Sequence, residues 1–173
     1  MTSMRGLFGA AGLVMLSPCA PDAAAADLQV IVSWTEVQHE VSPRPGKTWT
    51  VRKDVTVALK PNGDVSDTSR ATSGSNVRSS TRGGRLREPI PFGEDQTALW
   101  TRERNVLLRQ LDRAQHVETI RVTTRDHRTC TATVTYALKP GFGEYMLPHV
   151  SQSMPLYFSS IAAQQVTCAA EAI

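Results

Sequence analysis

Three side-chain types in this sequence could do chemistry at a distance from one another: thiols, guanidiniums and indoles. Cysteine occurs at positions 19, 130 and 168. Once Cys19 is removed with an N-terminal leader, Cys130 and Cys168 remain, and in an oxidising compartment two such thiols are expected to pair. Closing the intervening loop restricts the unfolded chain and stabilises the fold by roughly 4 kcal/mol. Arg70, Arg78, Arg82, Arg85 and Arg87 fall in a stretch, 70–87, that contains no acid. Fixed guanidinium groups suit carboxylate or phosphate, so this stretch predicts a basic strip for an anionic envelope component such as lipid head groups, a polysaccharide or nucleic acid. No aromatic interleaves with these arginines to stack on a base.

Trp34, Trp49, Trp100 and Tyr136 are the large aromatics on alternating segments. In an open β-fold they would wall a pocket for a small apolar ligand, as in a lipocalin-like carrier; in a filled one they are core. The remaining chemistry is negative. His39, His116, His127 and His149 stand alone without HExxH, CxxC or HxH spacing, so no metal or cofactor is expected. There is no Gly-x-Ser-x-Gly elbow and no phosphate-binding glycine pattern. Glu94-Asp95 and the pair Asp64 and Asp67 lack a partner constellation in the sequence. These observations predict a non-enzymatic domain with a binding or structural role.

The elements that position these residues read as strands. In TCTATVTYALKPG, 129–141, Cys130, Ala132, Val134, Tyr136 and Leu138 alternate with threonines, a period of two with one face on a core. Residues 116–124 alternate likewise through Glu118, Ile120, Val122 and Thr124, and the polar connector 125–128 suits a hairpin. Near the other end, Leu28, Val30, Val32 and Trp34 alternate, and Val37, His39 and Val41 continue after a one-residue phase change that suggests a bulge. A turn at 42–46 leads to Trp49, Val51, Val55, Val57 and Leu59, which would let Trp49 face Trp34. Asn62-Gly63 supplies the positive φ of a tight turn. Residues 69–84, SRATSGSNVRSSTRGG, have no apolar periodicity and read as a mobile loop reaching toward Pro91, about 69–91. Residues 99–111 fit a helix or a strand, and strand is preferred because strands follow. A short strand at 154–158 and a last one at 161–168 complete the reading. Seven or eight strands with tight turns predict an all-β fold, a small antiparallel barrel or sandwich, in which a Cys130–Cys168 bridge pins the last strand.

The N-terminus decides the compartment. Arg5, the apolar run 6–16 and the alanines at 23–26 predict a signal peptide over 1–26 and a single mature domain over 27–173. The mature part carries a mild net charge of +3 and no apolar run of membrane-spanning length. With its leader, the TCTATVTYALKPG strand and the closing IAAQQVTC, the chain resembles small uncharacterised secreted proteins of α-proteobacteria. That resemblance implies a periplasmic or secreted location and a disulfide.

Overall fold

The computed structural model describes residues 27–42, 46–113, 116–125, 127–139 and 157–173. Expectations for the leader 1–26, His149 and the segment 154–156 lie outside these residues. The described chain is ten antiparallel strands, more than the seven or eight that the turn signals suggested: β1 (Leu28–Ser42), β2 (Thr48–Leu59), β3 (Asp64–Ser73), β4 (Asn76–Arg85), β5 (Pro89–Gly93), β6 (Gln96–Glu103), β7 (Val106–Asp112), β8 (His116–Arg125), β9 (Thr129–Leu138) and β10 (Tyr157–Ala172). They form two five-stranded sheets, ordered β10-β1-β2-β3-β4 and β5-β6-β7-β8-β9. The architecture is a sandwich of two meanders, and only β10 leaves sequence order by pairing beside β1.

The additional strands come from two segments whose alternation is hidden. Residues 69–91 are not a loop. They hold the end of β3, all of β4 and the start of β5, with Ser73 paired to Asn76 around a two-residue Gly74-Ser75 turn. Gly74 sits at φ 57°, which glycine adopts without a Cβ penalty. This hairpin is polar on both faces because it stands mostly in solvent, so no apolar period marks it. Residues 99–111 are strand, as preferred, but they belong to two strands that fold back at Arg104-Asn105.

Asn62-Gly63 makes the expected turn between β2 and β3. Gly63 takes φ 88°, its N–H donates to the Lys60 carbonyl at 3.0 Å, and Asn62 Oδ1 accepts from the Asp64 N–H at 3.0 Å. The expected phase change in β1 is corrected. Pairing of β1 with β2 runs unbroken from Leu28↔Leu59 to His39↔Thr48. The irregularities lie on the other side, in the pairing with β10, where the register shifts between Ser33 and Thr35, between His39 and Glu40 and between Glu40 and Ser42; in the first, β10 carries the extra residue, with Gln165 at φ 53°. β10 is also one strand over 157–172 and not a short piece followed by a separate 161–168.

The core fills the space between the sheets. Inward residues of one phase meet in rows: Leu28, Leu59 and Val65 in one sheet, and Leu107 and Val122 in the other, are all nearly inaccessible. Burying an aliphatic side chain of this size contributes about 1.5–3 kcal/mol against leaving it in water. At one flank the sheets are joined by Leu86–Glu88. Here the Leu86 N–H donates to the Gly63 carbonyl at 2.9 Å and the Arg87 N–H to the Trp100 carbonyl at 2.8 Å. Gly84 permits this approach, because a Cβ there would lie 2.6 Å from Ile90 Cγ1. At the other flank Cys130 of β9 and Cys168 of β10 are disulfide-bonded, with Cα atoms 5.7 Å apart. The bridge therefore staples sheet to sheet and not neighbouring strands within one sheet. Among the described residues no helix is long and apolar enough to cross a membrane.

Candidate functional site

The inward phase of several strands changes from apolar to charged without changing direction. On β1, Leu28, Val30, Val32 and Trp34 are followed at the same spacing by Glu36. On β2, Leu59, Val57 and Val55 lead to Lys53. On β3, Val65 leads to Asp67, and on β8, Val122 and Ile120 lead to Glu118 and His116. On β7, Arg109 lies between Leu107 and Leu111. All these polar residues are buried. Strand pairing places them on facing sheets, Glu36, Lys53 and Asp67 on one and Arg109, Glu118 and His116 on the other.

They form one connected belt. Arg109 is wholly inaccessible, and its Nε donates to Asp67 Oδ2 at 2.7 Å, its Nη1 to Glu118 Oε1 at 2.8 Å and its Nη2 to Ser69 Oγ at 2.9 Å. Asp67 also accepts from Trp100 Nε1 at 2.8 Å. Lys53 Nζ donates to Glu118 Oε2 at 3.2 Å and forms an ion pair with Glu36. Trp34 Nε1 donates to the Tyr136 hydroxyl at 2.8 Å, and that hydroxyl is hydrogen-bonded in turn to Glu36. Two cations thus hold three carboxylates out of water, and hydrogen bonds meet most of the desolvation cost that an unpaired buried charge would carry.

Titration follows from this arrangement. Burial alone would push the Glu118 carboxyl up, but the charges of Lys53 and Arg109, then Arg113, and the Lys53 hydrogen bond outweigh it and hold it below the ordinary glutamate value. Burial, with the charges of Glu118 and Glu36, keeps the Tyr136 phenol protonated far above its usual range. His116 lies edge-on to Tyr136 with ring centroids 5.5 Å apart, and neither ring nitrogen has a hydrogen-bond partner among the described residues. Burial first, then the charges of Arg113 and Lys53, lower its pKa to about 4 despite the opposing carboxylates Glu36 and Glu118. His116 is therefore a neutral ring at physiological pH.

The belt opens on a cavity of about 310 Å³ between β2, β3 and β4 on one side and β5 to β8 on the other. Trp34, Val55, Phe92 and Leu111 give it apolar walls, and Lys53, Arg78 and Arg113 stand among its polar groups. Two of its lining donors are buried without a partner among the described residues, Ser80 Oγ and Arg113 Nε. Asp54 and Glu118 are the lining acids; Glu118 is already paired with both belt cations, and Asp54 faces Arg52, 3.8 Å away. The uncommitted character of the cavity is thus that of a donor-rich, cationic rim over an apolar floor.

The residues singled out from the sequence are distributed otherwise than expected. The arginines do not make one strip. Register pairs Arg78 with Ala71 and Arg82 with Asp67, whereas Arg70 pairs with Ser79 and Arg85 with Asp64, so alternation sends the two pairs to opposite faces of the β3–β4 hairpin. Arg85 Nε lies 3.5 Å from Asp64 Oδ1, and Arg87 stands in the link to β5 at φ 66°. Only Arg70 and Arg78 of the five line the cavity. The four aromatics do not share a chamber either. Trp34 lines the cavity and contacts Tyr136, but Trp100 is packed against Asp67, and Trp49 bonds Glu40 at 2.7 Å beneath Lys47. Trp49 is opposite Gln38 and not Trp34, whose partner across the hairpin is Lys53.

The belt itself was not recognised in the sequence, where Asp67 read as an acid without a partner. Its partner Arg109 is 42 residues away, on the opposite sheet. The signal that would have found it is a charge standing in the apolar phase of a strand, as in Val65-Ser66-Asp67 or Leu107-Leu108-Arg109. Among the described residues, no group of three or more His, Cys, Asp or Glu could hold a metal ion. No protein-family model, curated protein or solved structure matches the chain.

Proposed function

We propose that this chain is a periplasmic or secreted, non-enzymatic binding domain, and that its cavity takes up a small amphipathic anion such as a fatty or aromatic carboxylate. One observation carries the reading: two buried donors without a partner among the described residues, Ser80 Oγ and Arg113 Nε, line a cavity floored by Trp34, Phe92 and Leu111. Buried donors cost about 1–3 kcal/mol each when unpaired, and an anion entering from solvent removes that cost. The location rests on the signal-like leader and the resemblance to secreted proteins, and the Cys130–Cys168 bond suits an oxidising compartment. A lipocalin-like carrier of a purely apolar ligand is the weaker reading. Apolar side chains and the belt occupy most of the space between the sheets, and the rim of the cavity that is left is cationic.

Octanoate and 1-octanol share a tail and differ in charge, so they test the proposal. Calorimetric titration of the folded, oxidised protein should show octanoate binding, with quenching of Trp34, and binding weakened by about tenfold in Arg113→Gln, the loss of one charge-assisted contact. Equal binding of octanol, or no octanoate binding at millimolar concentration, overturns it.

A further inference from the structure

The two sheets have four outer strands, and three of their edges are protected. β9 and β10 are fastened to each other by the Cys130–Cys168 bond. β5 is only five residues long, and Pro89 and Pro91 deprive it of backbone donors. β4 is different. It runs ten residues, 76–85, without proline, and it pairs with β3 in perfect register from Asp64↔Arg85 to Ser73↔Asn76. Among the described residues no strand pairs with its outer edge. Such an edge presents a row of unpaired N–H and C=O groups to any extended chain.

The charge of this edge restricts what can join it. Arg78, Arg82 and Arg85 lie on β4 and Arg70 on β3, and 70–87 contains no acid. A second copy of β4 would bring arginine against arginine, which is destabilising across a strand pair. An acidic strand would bring carboxylates within bidentate reach of guanidiniums. Beside the start of β4 lies a hollow of about 440 Å³ lined by Val51, Ala71, Asn76, Val77 and Arg78. Val77 is one of the few large apolar side chains that the surface exposes, at 51 %. This is an anchor place for one apolar side chain, which strand addition uses to fix register.

We propose that the outer edge of β4 docks an extended acidic polypeptide by strand addition, with its carboxylates on Arg78 and Arg82 on one face and its alternate apolar residues beside Val77 on the other. The partner is a protein segment and not a generic polyanion, because the edge offers main-chain hydrogen bonds that a polysaccharide or a lipid surface cannot match in register.

The test uses a labelled ten-residue peptide alternating glutamate with valine and threonine, titrated by fluorescence anisotropy into the oxidised protein. Three controls accompany it: the same peptide with lysine for glutamate, the acidic peptide N-methylated at alternate residues, and a heparin oligosaccharide as competitor. The acidic peptide should bind at least about tenfold more tightly than the lysine and N-methylated forms, as expected when charge and main-chain donors both contribute. Arg82→Glu should weaken it by a similar factor, and hydrogen exchange should slow across 76–85 but not in β6 to β8. Equal binding of the N-methylated peptide, displacement by heparin with no change in exchange at β4, or no binding at low salt overturns the proposal. Octanoate binding is read separately, so failure here leaves the cavity reading intact.

Discussion

Two kinds of inward row share the interior of this sandwich. In one, Val32 faces Val55 across β1 and β2, and apolar contact is non-directional. In the other, Asp67, Arg109, Glu118, Lys53 and Glu36 meet with fixed hydrogen-bond geometry. Apolar contact does not by itself select a partner, but a displaced belt leaves charges unpaired in the dry interior. The apolar rows supply most of the driving force, and the belt is expected to specify how one sheet is set against the other.

The largest expected effect comes from breaking the belt at its centre. Arg109→Met should cost about 3–5 kcal/mol in urea unfolding, because Asp67 and Glu118 lose their shared partner. Replacing Asp67, Arg109 and Glu118 together by apolar residues of similar volume should recover part of that loss, the remainder being the acceptors withdrawn from Trp100 Nε1 and Lys53 Nζ. If the single variant unfolds with unchanged midpoint, the belt does not set the sheets.

Acid sharpens the same comparison. The folded His116 pKa, about 4, lies below the unfolded value of 6.5, so the unfolded chain binds more protons and stability rises with pH across that window. The contribution is complete above about 6.5 and lost as pH falls toward about 4, a change on the order of 3 kcal/mol. Glu118, with its depressed pKa, adds a loss at lower pH still, as its folded carboxylate is protonated. His116→Phe should flatten the upper part of the acid limb in a pH series of unfolding midpoints, and an unchanged slope between 4 and 6.5 would refute the assignment. In the apolar rows, Ile120→Val should cost about 0.5–1.5 kcal/mol with no pH dependence. Least of all, Thr68→Val, on the outer face of β3 where it bonds Thr81 at 2.9 Å, should change stability by no more than about 0.5 kcal/mol.

How far the sequence could be read follows from the same physics. The strand at 129–138 was legible because apolar residues on one face and threonines on the other mark period two, and the disulfide because Cys130 and Cys168 are the two cysteines beyond residue 26. β4 was not legible, since a hairpin in solvent has no apolar face to betray its alternation. The belt was missed for a subtler reason. Glu36, Lys53, Asp67, Arg109 and Glu118 each look like surface residues one at a time, and only the phase of their strands, followed past the last apolar residue, turns them inward. Of the candidate site, the sequence pointed to Trp34, Arg70, Arg78 and Tyr136, all four in or next to the cavity, but not to Arg113 or Ser80, whose Nε and Oγ lack a partner among the described residues.

The two covalent ties described between the sheets differ in permanence. Leu86–Glu88 is main chain, whereas the Cys130–Cys168 bond at the opposite flank can be undone by a reductant. Reduction would remove that staple and leave the belt and the apolar core to hold the two layers face to face.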